Sequence, residues 1–234
     1  RHTQIDWPRL AFTAWALAEF SKAMKEEKYM KAVEKSFKYL KRFLIPNSPL
    51  LIPSYGLALA YFGQLGFCLG KSNDAATVAN KILGRLDTLN FEPITFAQIA
   101  SFFKMMISAD RRFSTPFENL AKILKENFGK SLKDHQLMSL AVWAELVNTF
   151  ASVDQEFSDK VADWLKNQQL PSGAFPESTA SDFVYTRGTG KIFEVLALDP
   201  ERNKEAIAKA LPWLLPMQYD EENAFFIPEG IRPK

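Results

Sequence analysis

Residues 182–191, with the sequence DFVYTRGTGK, contain the densest group of side chains that could do chemistry in this chain. An arginine binds carboxylates through two parallel hydrogen bonds, a tyrosine offers a ring face and a hydroxyl, and an aspartate transfers protons. The segment reads as a glycine-bracketed loop that leads directly into an apolar helix. We therefore take it as the first candidate ligand site, with the members Asp182, Tyr185, Arg187 and Lys191.

The elements that must position these residues are helices of two alternating kinds. Nearly apolar segments are each followed by an amphipathic segment with apolar residues at helical spacing. The apolar helices are predicted over residues 7–25, 55–69, 96–108, 136–151 and 190–198, and the amphipathic helices over 28–44, 74–89, 116–128, 155–169 and 201–215. A helix that is apolar on all sides must be buried, so the alternation predicts an inner and an outer layer.

The amphipathic helices share a leucine anchor that recurs about every 40 to 50 residues, a period typical of stacked helical hairpins. The anchors are Leu40, Leu83, Leu124, Leu165 and Leu214. The sequence thus predicts an all-α chain of about five hairpins, arranged as an α/α toroid. An open α-solenoid is the alternative, although both helices of a solenoid hairpin are usually amphipathic.

Composition excludes several function classes. The 29 basic and 27 acidic residues are interspersed, and the lysine-rich residues 22–42 alternate with glutamates, so we expect a solvated helix face and no nucleic-acid partner. No apolar stretch is long enough to predict a membrane span. With one cysteine, Cys68, and only His2 and His135, the chain offers no metal constellation, and no cofactor is expected.

Residues 1–234 are predicted to form a single domain, since no stretch resembles a flexible linker. The chain begins at Arg1 without a methionine, which predicts a processed or trimmed product.

Residues 161–175, VADWLKNQQLPSGAF, resemble the QW motif of the terpenoid cyclase and protein prenyltransferase superfamily, and residues 211–226 resemble a degenerate second copy. The resemblance implies an α/α toroid in which the aromatic residue packs between outer helices and the glutamine ties a helix end to a neighbouring loop. Those structural roles would fall on Trp164 with Gln168 or Gln169, and on Trp213 with Gln218.

The known chemistries of that superfamily do not fit this chain. The zinc ligands of the prenyltransferases, the acidic DxDD cluster of squalene-type cyclases and the CGEQ sequence of thioester domains have no counterpart here. The resemblance therefore implies an architecture and no activity.

Six-hairpin toroids of other lineages are hydrolases, lyases and epimerases of glycans, and their sites lie where the inner helices begin. The same end of this chain's predicted inner helices supplies carboxylates, a histidine, cationic groups and aromatic rings, a set that suits a polar, anionic sugar. We expect Asp182, His135 and Asp6 to be the catalytic residues, and Arg187, Tyr185, Lys191, Trp7, Arg9 and Tyr55 to bind substrate.

Ordinary structural roles compete with these assignments. Asp6 and Asp134 stand at helix N-cap positions, where aspartate is common for its capping bond alone. Trp7 fits a core position, and His135 fits a surface position in a first helical turn.

Two function hypotheses follow. The first is a carbohydrate-active enzyme of the hydrolase, lyase or epimerase type, with an oligosaccharide or other small molecule in the central cleft. The second is a non-catalytic scaffold that binds a protein partner, or a toroid that binds an isoprenoid or lipid. Two carboxyl groups about 5 to 10 Å apart would favour glycosidic chemistry over the scaffold.

Overall fold

The computed structural model describes residues 6–47, 53–88, 92–133, 139–151, 154–181, 183–217 and 230–231. Ten α-helices form most of this part: α1 (Trp7–Met24), α2 (Met30–Asn47), α3 (Pro53–Cys68), α4 (Ser72–Leu83), α5 (Pro93–Ile107), α6 (Ser114–Lys133), α7 (Leu140–Phe150), α8 (Gln155–Lys166), α9 (Thr186–Leu196) and α10 (Lys204–Leu214). Two short strands, β1 (Val184–Tyr185) and β2 (Gly230–Ile231), pair antiparallel. The all-α prediction is confirmed.

Several helices begin where a carboxylate caps the free backbone N–H groups of the first turn. Asp6 accepts a hydrogen bond from the Arg9 N–H at 3.0 Å, and Glu92 accepts one from Thr95 at 2.8 Å. Asp154 caps α8 in the same way. Prolines at the starts of α1 and α5 cost no hydrogen bond, since these N–H groups have no helical partner.

The chain divides into two compact units, Arg1–Leu124 and Lys125–Lys234, and the boundary falls within α6. In the first unit α3 packs between α1 and α5, while α2 packs against α1 and α3, and α4 against α3 and α5. The even-numbered α2 buries one row of side chains, which are Val33, Phe37, Leu40 and Leu44. In this unit the amphipathic helix α2 therefore buries one face, as its sequence pattern predicts.

Helices α3 and α5 approach closely at Gly63. A Cβ atom there would lie 2.2 Å from Cζ of Phe102, so a side chain at residue 63 is incompatible with this packing.

In the second unit α7 packs against α8 and α9, and α9 packs against α10. Gln169, just beyond α8, donates from Nε2 to the carbonyl oxygens of Gly173 and Ala206, both at 2.9 Å. The side chain therefore ties the end of α8 to the following turn and to α10. Gly173 has φ of +90°, and a Cβ there would lie 1.9 Å from the carbonyl oxygen of Lys209, so the turn requires glycine.

Of the two adjacent glutamines beyond the end of α8, Gln169 makes the contact with α10, whereas the side chain of Gln168 donates to the carbonyl of Trp164 in the last turns of α8. The Trp164 ring meets Phe128 edge to face at 5.8 Å. Gln218 lies outside the described residues, and Trp213 is half-buried in α10. The superfamily resemblance stays a prediction, as do the closed toroid and the single domain.

The predicted start of the fifth apolar helix is wrong. Helix α9 begins at Thr186 rather than at Gly190, so half of the supposed loop is helical. Two glycines in the first turns oppose this by roughly 0.5 to 1 kcal/mol each. The fully buried Thr189 compensates, because its hydroxyl bonds to both the N–H and the carbonyl of Phe175.

None of the helices in the described part is long and apolar enough to cross a membrane. The most apolar predicted segment, residues 57–69, lies within and just beyond α3, where Leu59, Phe62 and Leu65 are buried.

Candidate functional site

The N-terminal ends of α7 and α9 are joined through residues 176–178. Ser139, which precedes α7, forms an antiparallel bridge with Ser178, and the Leu140 N–H donates to the carbonyl of Glu177 at 3.0 Å. On the other side Pro176 bridges Val184, just before α9. One extended segment is thus bonded to the residues at the starts of both helices and holds these two starts close together.

A charged pair spans α7 and α9 one to two turns beyond these ends. The Nζ atom of Lys191 lies 2.8 Å from Oε2 of Glu145 and 3.4 Å from Oε2 of Glu194. The side chain of Glu145 is 5% exposed, that of Lys191 is 21% exposed and that of Glu194 is 58% exposed. The cluster therefore runs from a buried carboxylate through a partly accessible ammonium group to a carboxylate in solvent.

Two opposing effects set the pKa of Lys191. Burial disfavours the ammonium form, but the charges of Glu145 and Glu194 and their hydrogen bonds outweigh it, and the pKa of Lys191 is raised above its usual value. Lys191 is therefore a fixed cation at neutral pH. Moving such an ion pair out of water costs desolvation free energy, so the pair contributes little net stability to the fold. Buried groups with shifted pKa values are concentrated at functional sites, which makes this pair a candidate site.

The two carboxylates are close to each other. Because one Nζ atom contacts both, their contacting oxygens are separated by at most the sum of the two contact distances, about 6 Å. A proton donor must first be protonated and therefore neutral, so Glu145 or Glu194 could act as an acid only without its ion pair to Lys191. The arrangement thus suits carboxylates that accept protons or hydrogen bonds, beside a cation that stabilises a new negative charge.

Of the predicted residues in this unit, the structure places Lys191 in the charged pair. Tyr185 is half-buried at the start of α9, with its ring 4.6 Å from that of Phe183. Only the backbone of Arg187 is described, one helical turn before Lys191. Asp182, Asp134 and His135 lie outside the described residues.

The remaining predicted residues belong to the first unit. Asp6 caps α1 and also pairs with the Arg9 guanidinium at 3.6 Å. Trp7 stacks on Tyr39, with ring centroids 5.9 Å apart, and Tyr55 is half-buried near the start of α3. Their assembly with Lys191 around one cleft stays a prediction.

Sequence reasoning missed Glu145 and Glu194. Glu145 is the one charged residue in the sequence of α7, LAVWAELVNTF, and a lone charge in an otherwise buried helix is a usable signal. Its partner is 46 residues away, however, and neither helical periodicity nor a motif relates the two.

No cluster of three or more metal-ligating side chains occurs among the residues that the structure describes. Cys68 is buried. Burial is the main cause, and a hydrogen bond to Glu19 the second cause, that raises the pKa of its thiol to about 11. A thiol that stays protonated is a poor nucleophile. The charged pair on α7 and α9 is the better candidate for chemistry.

Comparison of the chain with protein-family models, with curated proteins and with solved structures finds no match.

Proposed function

We propose that this chain is a carbohydrate-active enzyme that acts on an anionic sugar by removing the proton next to a carboxylate, as lyases and epimerases of uronic acids do. The observation that supports the proposal is the cluster of Glu145, Lys191 and Glu194, in which one cation stands between two carboxylates. A closed α/α toroid, with α7 and α9 among its inner helices, is part of the same proposal.

Lys191 binds the uronate carboxylate in this scheme, and Glu145 acts through Lys191 as a positioning residue because it is buried behind it. Glu194, the exposed carboxylate, accepts the proton from the carbon next to the substrate carboxylate. The electron pair of that C–H bond moves into the carboxylate, where the ammonium group stabilises the added negative charge.

Two outcomes of this step keep atoms and charge in balance. If a second acid delivers a proton to the opposite face of the carbon, the product is the epimer, and Glu194 releases the proton that it removed to solvent. If the electron pair instead expels the glycosidic oxygen on the neighbouring carbon, a double bond forms and the polymer is cleaved. Asp182 or His135, both predicted as catalytic, would supply the second proton.

The other predicted residues have binding roles in the proposal. Arg187 and Tyr185 flank the start of α9 and would contact the sugar bound at Lys191. Asp6, Trp7, Arg9 and Tyr55, which belong to the first unit, stay predicted substrate-binding or catalytic residues.

The test is solvent exchange. The protein is incubated in D₂O with a panel of oligouronates of different linkage, and deuterium at the carbon next to each carboxylate is measured by mass spectrometry, together with unsaturated products. We expect wild type to label or cleave at least one panel member. Glu194→Gln should abolish this with unchanged thermal unfolding, because the residue is on the surface.

Glu156→Gln is the matched control, since Glu156 is an exposed glutamate in the first turn of α8 and is not a member of the cluster. It should leave exchange unchanged. Absence of exchange and cleavage across the panel would contradict the proposal, as would full activity of the Glu194 variant.

A non-catalytic interaction scaffold is the second candidate. It is supported by Phe20 and Met24 near the end of α1, which are 47% and 58% exposed. A contiguous exposed apolar patch is a frequent mark of a protein interface, and these two residues, four positions apart, lie on one side of α1. A chain inactive on the whole panel that loses a protein partner on Phe20→Ser substitution would favour this candidate.

A further inference from the structure

A surface on the first unit combines aromatic rings with basic residues that form no ion pair within the described part of the chain. The rings are those of Trp7, which is half-buried, and of the exposed Tyr39 and Phe43, and they are here called the aromatic ridge. Tyr39 and Phe43 are 38% and 46% exposed, and they lie off the buried face of α2.

Mutual contacts hold the aromatic ridge in place. Trp7 stacks on Tyr39 at 5.9 Å with an angle of 22° between the rings, and it lies 5.5 Å from Phe43. The rings of Tyr39 and Phe43 are themselves 4.8 Å apart. The ridge is therefore a preformed platform across the start of α1 and the second half of α2.

A row of basic residues follows the ridge along α2. Lys31, Lys35, Lys38 and Arg42, here called the basic stripe, are spaced by four, three and four residues, which places them on one side of the helix. At 1.5 Å per residue the stripe is about 16 Å long. Tyr39 and Phe43 occupy the adjacent row.

The basic stripe differs from neighbouring lysines in its ion pairing within the described part of the chain. Neighbouring lysines have carboxylate partners, Lys28 with Glu26 at 3.1 Å and Lys41 with Asp74 at 2.7 Å. In the described part of the chain, none of the four stripe residues has an ion-pair partner, and all four are exposed. Glu34, the acidic residue of α2, is exposed but forms no ion pair with them among the described residues.

We propose that the aromatic ridge and the basic stripe together bind an anionic glycan chain. Each uronate unit presents an apolar ring face and one carboxylate, which match an aromatic platform beside a row of cations. The ligand class rests on the proposed function, but the binding itself requires no catalysis.

The test is affinity electrophoresis of the full chain in gels that contain polygalacturonate, with a neutral glucan gel as reference. Wild type should be retarded by polygalacturonate alone. Lys35→Glu/Arg42→Glu should weaken binding about tenfold and reduce its dependence on salt. Tyr39→Ala/Phe43→Ala should weaken binding while the salt dependence stays unchanged.

Lys122→Glu/Lys130→Glu is the matched control, since both residues are exposed on α6 and the change in net charge is the same. It should bind as wild type does. The proposal is overturned if this control loses affinity equally, if wild type is not retarded, or if a single-stranded oligonucleotide or phosphatidylserine vesicles bind in preference. A chain that binds polygalacturonate through α2 but shows no deuterium exchange keeps this inference and contradicts the proposed function.

Discussion

Two polar pairs join neighbouring odd-numbered helices, one in each unit, and they differ in charge and in access to solvent. Between α3 and α5, Nε2 of Gln64 donates to Oε1 of Gln98 at 3.2 Å and is 3.3 Å from its carbonyl oxygen. Between α7 and α9, Lys191 pairs with Glu145. The amides are 1% and 2% exposed, whereas the side chain of Lys191 is 21% exposed.

The difference separates a structural contact from a candidate site. A neutral amide pair satisfies its hydrogen bonds inside the protein at little electrostatic cost. A buried carboxylate with a cation that reaches solvent is expensive, and its accessible ammonium group is available to a ligand. Similar positions between helices therefore do not imply similar roles.

Removal of the cation should produce the largest effect on stability. Lys191→Met keeps most of the length of the side chain but removes the positive charge beside the buried Glu145. We expect the free energy of unfolding to fall by about 3 kcal/mol. Urea denaturation followed by circular dichroism measures it.

The double variant Glu145→Leu/Lys191→Met is the control for that loss. It removes both charges and should recover most of the stability. A double variant as unstable as the single one would mean that packing, rather than the lost charge, is responsible.

The next effect is a dependence on pH. A raised pKa means that Lys191 stabilises the folded state fully below its unfolded value of 10.5 and loses this contribution as the pH rises through the higher folded value. The stability difference between wild type and Lys191→Met should therefore be constant from pH 7 to 9.5 and narrow above 10.5. A stability difference that widens above pH 10.5 would contradict a raised pKa of Lys191 in the folded state.

Substitution in the amide pair should lower the free energy of unfolding less than Lys191→Met does. Gln98→Leu removes one acceptor but leaves its backbone carbonyl to accept from Gln64, so we expect a loss of about 1 kcal/mol. The loss should be the same at pH 7 and pH 10.5, because neither amide titrates. If Gln98→Leu lowered the free energy of unfolding as much as Lys191→Met does, the two pairs would not differ in their energetic role.

The smallest effect is expected at the exposed end of the charged cluster. Glu194→Gln should change the free energy of unfolding by about 0.5 kcal/mol or less, since exposed ion pairs contribute little. Thermal unfolding monitored by circular dichroism should thus be unchanged. A large destabilisation would assign Glu194 to the framework instead of the chemistry.

The helices could be predicted because local signals are consistent with packing. An aspartate cap and a proline mark the start of α1, and the spacing of Val33, Phe37, Leu40 and Leu44 on α2 matches the row that the structure buries. The start of α9 could not be predicted, because the glycines indicate a loop and the bonds of Thr189 to Phe175 come from elsewhere in the chain.

The candidate site was predicted only in part. The sequence predicts Lys191 as part of the glycine-bracketed segment before an apolar helix, whereas its partner, Glu145, comes from a helix with the pattern of a core helix. Pairings of this kind depend on tertiary packing, which one sequence without its fold does not reveal. Asp182 and His135 lie outside the described residues and stay predictions.

The most direct test of the central claim compares the two polar pairs during a ligand titration. Side-chain NMR follows the Cε resonance of Lys191 and the amide groups of Gln64 and Gln98 as oligogalacturonate is added, with Lys191→Met used for assignment. We predict a saturable shift of the Lys191 resonance and none of either amide. A Lys191 resonance that stays in place, or shifts no more than the amides, would contradict a ligand site at the charged pair.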